Sequence, residues 1–105
     1  MSAPGARRPF ISIDDYLAGE ADGEQRHDYI DGQVYAMTGA SDRHGLILNA
    51  LAYAMTPAAR RKGCQLFTSD MKVRVDIADK TSFYYPDLIL SCDPQDREKY
   101  FRRAP

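Results

Sequence analysis

From Gln65 to Ile77 the chain alternates with period two, with Phe67, Met71, Val73, Val75 and Ile77 on one face and Thr68, Asp70, Lys72, Arg74 and Asp76 on the other. That pattern predicts one long half-buried strand. After a turn over Ala78 to Ser82, the run from Phe83 to Cys92 is aromatic and β-branched and reads as a second, buried strand, paired antiparallel with the first. One acid, Asp87, falls in its middle. A carboxylate there must shed water, so it needs a cation, a metal or several donors around it. Pro86 removes a backbone donor just before it and confines this point to an edge, a strand start or a bulge. The plainer reading of Asp87 is an acid at a strand entry, bonded to backbone amides.

Helical spacing appears twice. Ser12-Ile13-Asp14-Asp15 has the form of a capping box and predicts a short first helix through Tyr16, Leu17 and Ala18, with Gly19 to Gly23 a loop. Ser41 caps the main helix, whose first turn holds Asp42. Ile47, Ala50, Leu51, Ala54, Met55 and Ala58 are spaced as one buried face. His44 continues that stripe, where a packed, hydrogen-bonded histidine is the simpler expectation than a ligand or base. Pro57 should kink the helix or end it at Thr56, and Arg60-Arg61-Lys62 with Gly63 should close it. Between the helices, two β-prone runs flank Asp31-Gly32, the strongest hairpin signal in the chain. Asp28 lies on its first arm, where a solvated acid is expected. Asp93 to Pro105 is charged, holds two prolines and reads as a surface connection.

Composition narrows the function little. The 105 residues carry 44% hydrophobic and 28% charged side chains with a formal net charge of -1, which describes one domain with an ordinary core. Fourteen basic residues against fifteen acidic ones set up no global field for a polyanion, so any nucleic-acid contact must come from a local patch. Residues 1–10, with two prolines and Arg7-Arg8, form an expected flexible tail, and 11–105 the domain. Cys64 and Cys92 lack a CxxC pair or a secretion signal and are expected to be reduced thiols in a cytoplasmic protein. No apolar run approaches the about 18 residues of a membrane span.

The order of four segments carries a resemblance. Arg26-His27-Asp28-Tyr29-Ile30-Asp31-Gly32-Gln33-Val34-Tyr35-Ala36-Met37, then His44, then Ser69-Asp70-Met71-Lys72-Val73-Arg74-Val75, then Tyr85-Pro86-Asp87, is similar to the Uma-type restriction endonuclease family of the PD-(D/E)XK nuclease superfamily. It runs over nearly the whole chain from about Ile11, and no single motif would suffice. The resemblance implies an α/β restriction-endonuclease-like core, a mixed sheet flanked by helices, and hydrolysis of a DNA phosphodiester assisted by Mg²⁺ or Mn²⁺. It makes Asp87 a metal ligand and places Asp28 where the family commonly has glutamate, one methylene longer. His44 matches a histidine at the helix start. Lys72 matches the family's Asp-Met-Lys-Val pattern and joins the candidate set without being its catalytic lysine.

The departure comes at the end of the chain. In the family, a further strand carries a second metal-binding glutamate, followed by a helix with a downstream acid and lysine. Glu98 and Lys99 do not substitute, because no apolar strand flanks them. A truncated domain is therefore expected, with little or no cleavage by these residues alone. Its sheet edge and one face of the main helix would be left apolar and exposed, which predicts a homo-oligomer. Two non-catalytic alternatives stand beside the nuclease: an interaction module, and a nucleic-acid binder using Arg60, Arg61, Lys62, Lys72 and Arg74.

Overall fold

The hairpin at Asp31-Gly32 forms as expected in the computed structural model, which describes residues 9–104. Asp31 and Gly32 take φ of 45° and 87°, the left-handed pair that a type I′ turn requires. They join β1 (His27–Ile30) to β2 (Gln33–Ala36) in antiparallel register, with Asp28 opposite Tyr35. The tail expected over 1–10 falls largely on residues 1–8, outside the described residues.

Helix α1 (Ile13–Asp22) starts where Ser12 accepts a hydrogen bond from the Asp15 amide at 3.1 Å. It runs a full turn beyond the expected end, through Gly19 and into the stretch read as a loop. Tyr16 buries its ring against Tyr29 of β1, and that packing outweighs the weak helix preference of one glycine.

The long strand expected from Gln65 to Ile77 is two strands in two sheets. β3 (Gln65–Thr68) pairs antiparallel with β6 (Leu88–Ser91) in a two-stranded sheet. Ser69 to Met71 then turn the chain into β4 (Lys72–Ile77), which enters the large sheet. The strand expected from Phe83 to Cys92 breaks likewise: β5 (Lys80–Tyr84) belongs to the large sheet, β6 to the small one, and residues 85–87 cross between them. Pro86 sits at this crossing, where a missing backbone donor costs no ladder bond.

The charged C-terminal stretch is not only a connection. Phe101–Arg103 form β7, parallel to β4, with Phe101 and Arg102 buried. The large sheet therefore has the order β2-β1-β5-β4-β7 and is mixed, as expected of a restriction-endonuclease-like α/β core. Tyr16, Tyr29, Phe83 and Phe101 form its aromatic core under α1, with Phe83 fully buried.

On β4 the faces are reversed. Arg74 stands opposite Phe83, and its guanidinium lies 5.7 Å from the Phe83 ring and 5.6 Å from the Phe101 ring, while Ile77 is exposed. Long cationic side chains lay their stems and flat heads on aromatic rings, so an alternation of charges marked the inner face.

Helix α2 (Asp42–Arg61) begins at Ser41, whose hydroxyl accepts from the His44 amide at 3.1 Å. It continues through Pro57 as one element. It ends in a Schellman arrangement: Gly63 at φ 72° donates to the Arg60 carbonyl and Cys64 donates to that of Ala59. The helix packs on β3 and β6 with Ala59 buried and Leu48, Ala52 and Thr56 half-buried. The expected buried stripe is mostly outward: Ile47, Leu51 and Met55 are exposed.

Cys64 and Cys92 are joined in a disulfide, not held as free thiols. They flank the Gln65–Ser91 pair, so the β3–β6 register brings them together. Among the described residues no helix is long and apolar enough to cross a membrane.

Candidate functional site

The crossing at residues 85–87 gathers the four candidates at its two ends. At the first end, Asp28 of β1 accepts a hydrogen bond from the Tyr85 amide at 3.3 Å, so this acid is half-buried and engaged rather than a solvated hairpin residue. Lys72, at the start of β4, is buried at 6% exposure and donates to the Tyr85 hydroxyl at 3.4 Å. Burial pushes the Lys72 ammonium below the usual lysine range, against the opposing pull of Glu20.

At the other end, His44 and Asp87 face each other with Nε2 and Oδ2 3.1 Å apart. Their side chains are 45% and 60% exposed, so neither is in the interior. The strand break explains the difference from expectation: Asp87 sits beyond Pro86 on the crossing, where water reaches it, and the first turn of α2 carries His44 to meet it.

A fifth residue, Glu20, is missing from the sequence-based set. Its carboxylate is only 5% exposed. It accepts from the His27 amide at 2.8 Å and the Tyr85 hydroxyl at 2.8 Å, and it lies 2.9 Å from His27 Nδ1. Burial and the neighbouring Glu20 charge together push the Tyr85 phenol well above the ordinary tyrosine range. Glu20 lies one helical turn after Tyr16, on the face α1 buries. The i to i+4 spacing from an inward tyrosine is the signal that would have found it, had the helix not been ended at Gly19.

An open pocket of about 470 Å³ borders this group and is lined in part by Glu20, Arg26, Lys72 and Tyr85. An opening of the same volume at the N-terminal end of α1, bounded by Ser12, Asp31 and Arg74, contains none of the four candidates.

Asp87 and Asp28 are hard oxygen donors of the type that Mg²⁺ and Mn²⁺ take. Among the described residues, however, no group of three or more His, Cys, Asp or Glu side chains is close enough to hold a metal ion. The described residues therefore do not by themselves make a complete metal centre.

The crossing thus has two acids, a histidine and a lysine around Tyr85-Pro86-Asp87. Residues 13–105 match the Uma2 family, described as "Putative restriction endonuclease". The chain belongs to the Uma2 family. Two curated relatives, both from Synechocystis sp., are themselves uncharacterized. The protein slr1290 is 33% identical over 96 residues, covering 91% of this chain and 50% of the relative. The protein sll1609 is 26% identical over 85 residues, covering 81% of this chain and 47% of the relative. The chain thus spans about half the length of the curated relatives it matches. No solved structure shows a significant match. The family's description is that of a nuclease.

Proposed function

We propose that the whole protein is a DNA endonuclease that hydrolyses phosphodiesters with Mg²⁺ or Mn²⁺, and that this chain contributes Asp87, Asp28, His44 and Lys72 to its site. The observation that carries the reading is the convergence of these four on one three-residue crossing in an Uma2 chain. Asp87 and Asp28 are the proposed metal ligands. His44, 3.1 Å from Asp87, would orient that carboxylate, and Lys72 would offer positive charge at the Tyr85 end of the crossing. The remaining ligands would come from residues other than those described. A metal held by two carboxylates keeps most of its waters and binds weakly, so the described residues alone should cleave DNA poorly if at all. The reading places the protein in the cytoplasm, where DNA is, although reducing compartments disfavour a disulfide such as Cys64–Cys92.

The test is Mn²⁺-dependent nicking of supercoiled plasmid by the protein as its gene encodes it, compared with Asp87→Ala. Because Asp87 is exposed, the variant should keep its fold by circular dichroism and lose nicking. Undiminished nicking by a folded variant would place the site elsewhere.

A second reading, a non-catalytic module that self-associates, is favoured by the exposed Leu46, Ile47, Leu51 and Tyr53 on α2. Sedimentation that shows a monomer at every concentration removes it.

A further inference from the structure

Residues 85–87 belong to neither sheet, so no strand ladder fixes them. Something else must hold the crossing in place against Asp28, since Pro86 restricts the backbone locally but makes no ladder bond. The contacts that do so converge on Tyr85. Its amide donates to Asp28 at 3.3 Å, and its hydroxyl donates to Glu20 at 2.8 Å while receiving from Lys72 at 3.4 Å. Two cations lie against its ring, with the Arg26 guanidinium 5.8 Å and the Lys72 ammonium 5.2 Å from the ring centroid.

Glu20 is the anchor of this set. A carboxylate only 5% exposed is tolerated when donors replace its water, and the His27 amide, the His27 ring and the Tyr85 hydroxyl do that. Such a group holds its donors firmly, because a lost donor leaves a buried acceptor oxygen unsatisfied. Glu20 in turn is carried by α1, which is locked to the large sheet through Tyr16. The crossing is thereby referred to the rigid core of the protein through one side chain.

We infer that Tyr85, braced by Glu20, is a positioning residue that sets the Tyr85-Pro86-Asp87 crossing, holding Asp28 at its amide and Lys72 at its hydroxyl. The geometric part stands on these contacts, and the catalytic consequence rests on the nuclease reading above.

Three variants of the protein as its gene encodes it test this. Tyr85→Phe keeps the ring and the amide and removes only the hydroxyl. Glu20→Ala removes the brace, and Glu20→Gln keeps an acceptor oxygen for the hydroxyl without the charge. The first readout is hydrogen exchange of the backbone amide at position 85, which needs neither metal nor DNA. It should quicken about tenfold or more in Tyr85→Phe and Glu20→Ala and stay near wild type in Glu20→Gln. The second is plasmid nicking with Mn²⁺, which should fall about 10–100-fold in the first two and be largely restored in the third.

Unchanged exchange in folded Tyr85→Phe overturns the inference, and that conservative variant remains decisive if Glu20→Ala does not fold. A Glu20→Gln variant as impaired in exchange as Glu20→Ala also overturns it, because charge rather than bracing would then be what matters. Quickened exchange in a protein whose wild type never nicks DNA supports the bracing and defeats the nuclease reading alone.

Discussion

Opening the Cys64–Cys92 disulfide should cost this protein a large share of its stability. The bond closes a loop spanning a sequence separation of 28 residues, within which β3, β4, β5 and β6 all lie. For a loop of that length the chain-entropy relation gives about 12 cal/mol/K removed from the unfolded ensemble, or about 3.6 kcal/mol at 25 °C. Domains of this size are stable by about 5–15 kcal/mol, so the bond can account for a quarter to more than half of the total. The native side changes little on reduction, because the cysteines are held adjacent by the β3–β6 pairing and by the end of α2. A two-stranded sheet is marginal alone, however, and the pair then depends on α2 to stay formed.

The assay is urea unfolding of the oxidised protein, the dithiothreitol-reduced protein and the double variant Cys64→Ser with Cys92→Ser. With urea slopes of about 1–3 kcal/mol/M, the midpoint should drop by roughly 1–4 M on reduction, and the double variant should match the reduced form. The double variant itself should not respond to dithiothreitol. An oxidised midpoint that reduction leaves in place would refute the loop-closure reasoning. Two titratable thiols in the unreduced, unfolded protein would refute the bond itself.

Three smaller predictions follow from local structure. Phe83→Ala removes the fully buried ring that touches Tyr16 at 5.3 Å and Phe101 at 5.4 Å between centroids; it should cost about 3–5 kcal/mol in a urea titration, and a loss under about 1 kcal/mol would mean the core lies elsewhere. The Thr81 hydroxyl and then Arg74 hold the Asp76 carboxyl below the usual carboxylate range. Its ionised form is favoured in the fold, so as pH falls the unfolded chain takes up the proton first. The contribution is complete above the ordinary carboxylate value of about 3.9 and is lost as pH drops through the depressed one. Asp76→Asn should therefore lose less stability than wild type between about pH 5 and pH 3, and equal slopes would reject the assignment. Gly63→Ala, at φ 72°, should destabilise by about 1 kcal/mol in the same titration, whereas Gly39→Ala, with open space at its Cβ, should be near neutral.

What could be read from the sequence was what neighbours in sequence decide. Ser12 and Ser41 cap helices through amides three residues away, Asp31-Gly32 make a turn out of their own φ preferences, and Gly63 closes α2 in the same way. The motif order located the crossing with Asp87, and Asp28, His44 and Lys72 do stand at its ends. Where partners decide, the pattern misled. Period two lapses only at Ser69, a polar residue on the apolar face between Phe67 and Met71, and one such lapse does not by itself mark the passage from one sheet to the other. Arg74 looked outward because a charge usually is, yet it lies on Phe83 and Phe101. β7 has a single apolar residue and forms by parallel pairing with a strand some thirty positions earlier, which no window along the chain can detect. Cys64 and Cys92 pair because β3 and β6 do, and spacing alone carries no such information.

The short strand β1 works as a buckle. Arg26, just before it, grips the Ser69 carbonyl and the Asp70 carboxylate at 2.9 Å each, on the passage from β3 to β4. Asp28, two residues later, grips the Tyr85 amide on the passage from β5 to β6. Both straps between the sheets are thus fastened by one four-residue strand, and its seating is set by the Asp31-Gly32 turn. A slip of β1 by a single residue would turn Asp28 to the opposite face and unfasten the two passages together. Damage to a tight turn that touches none of the four candidate residues would therefore look, in any assay of the site, like the loss of an acid.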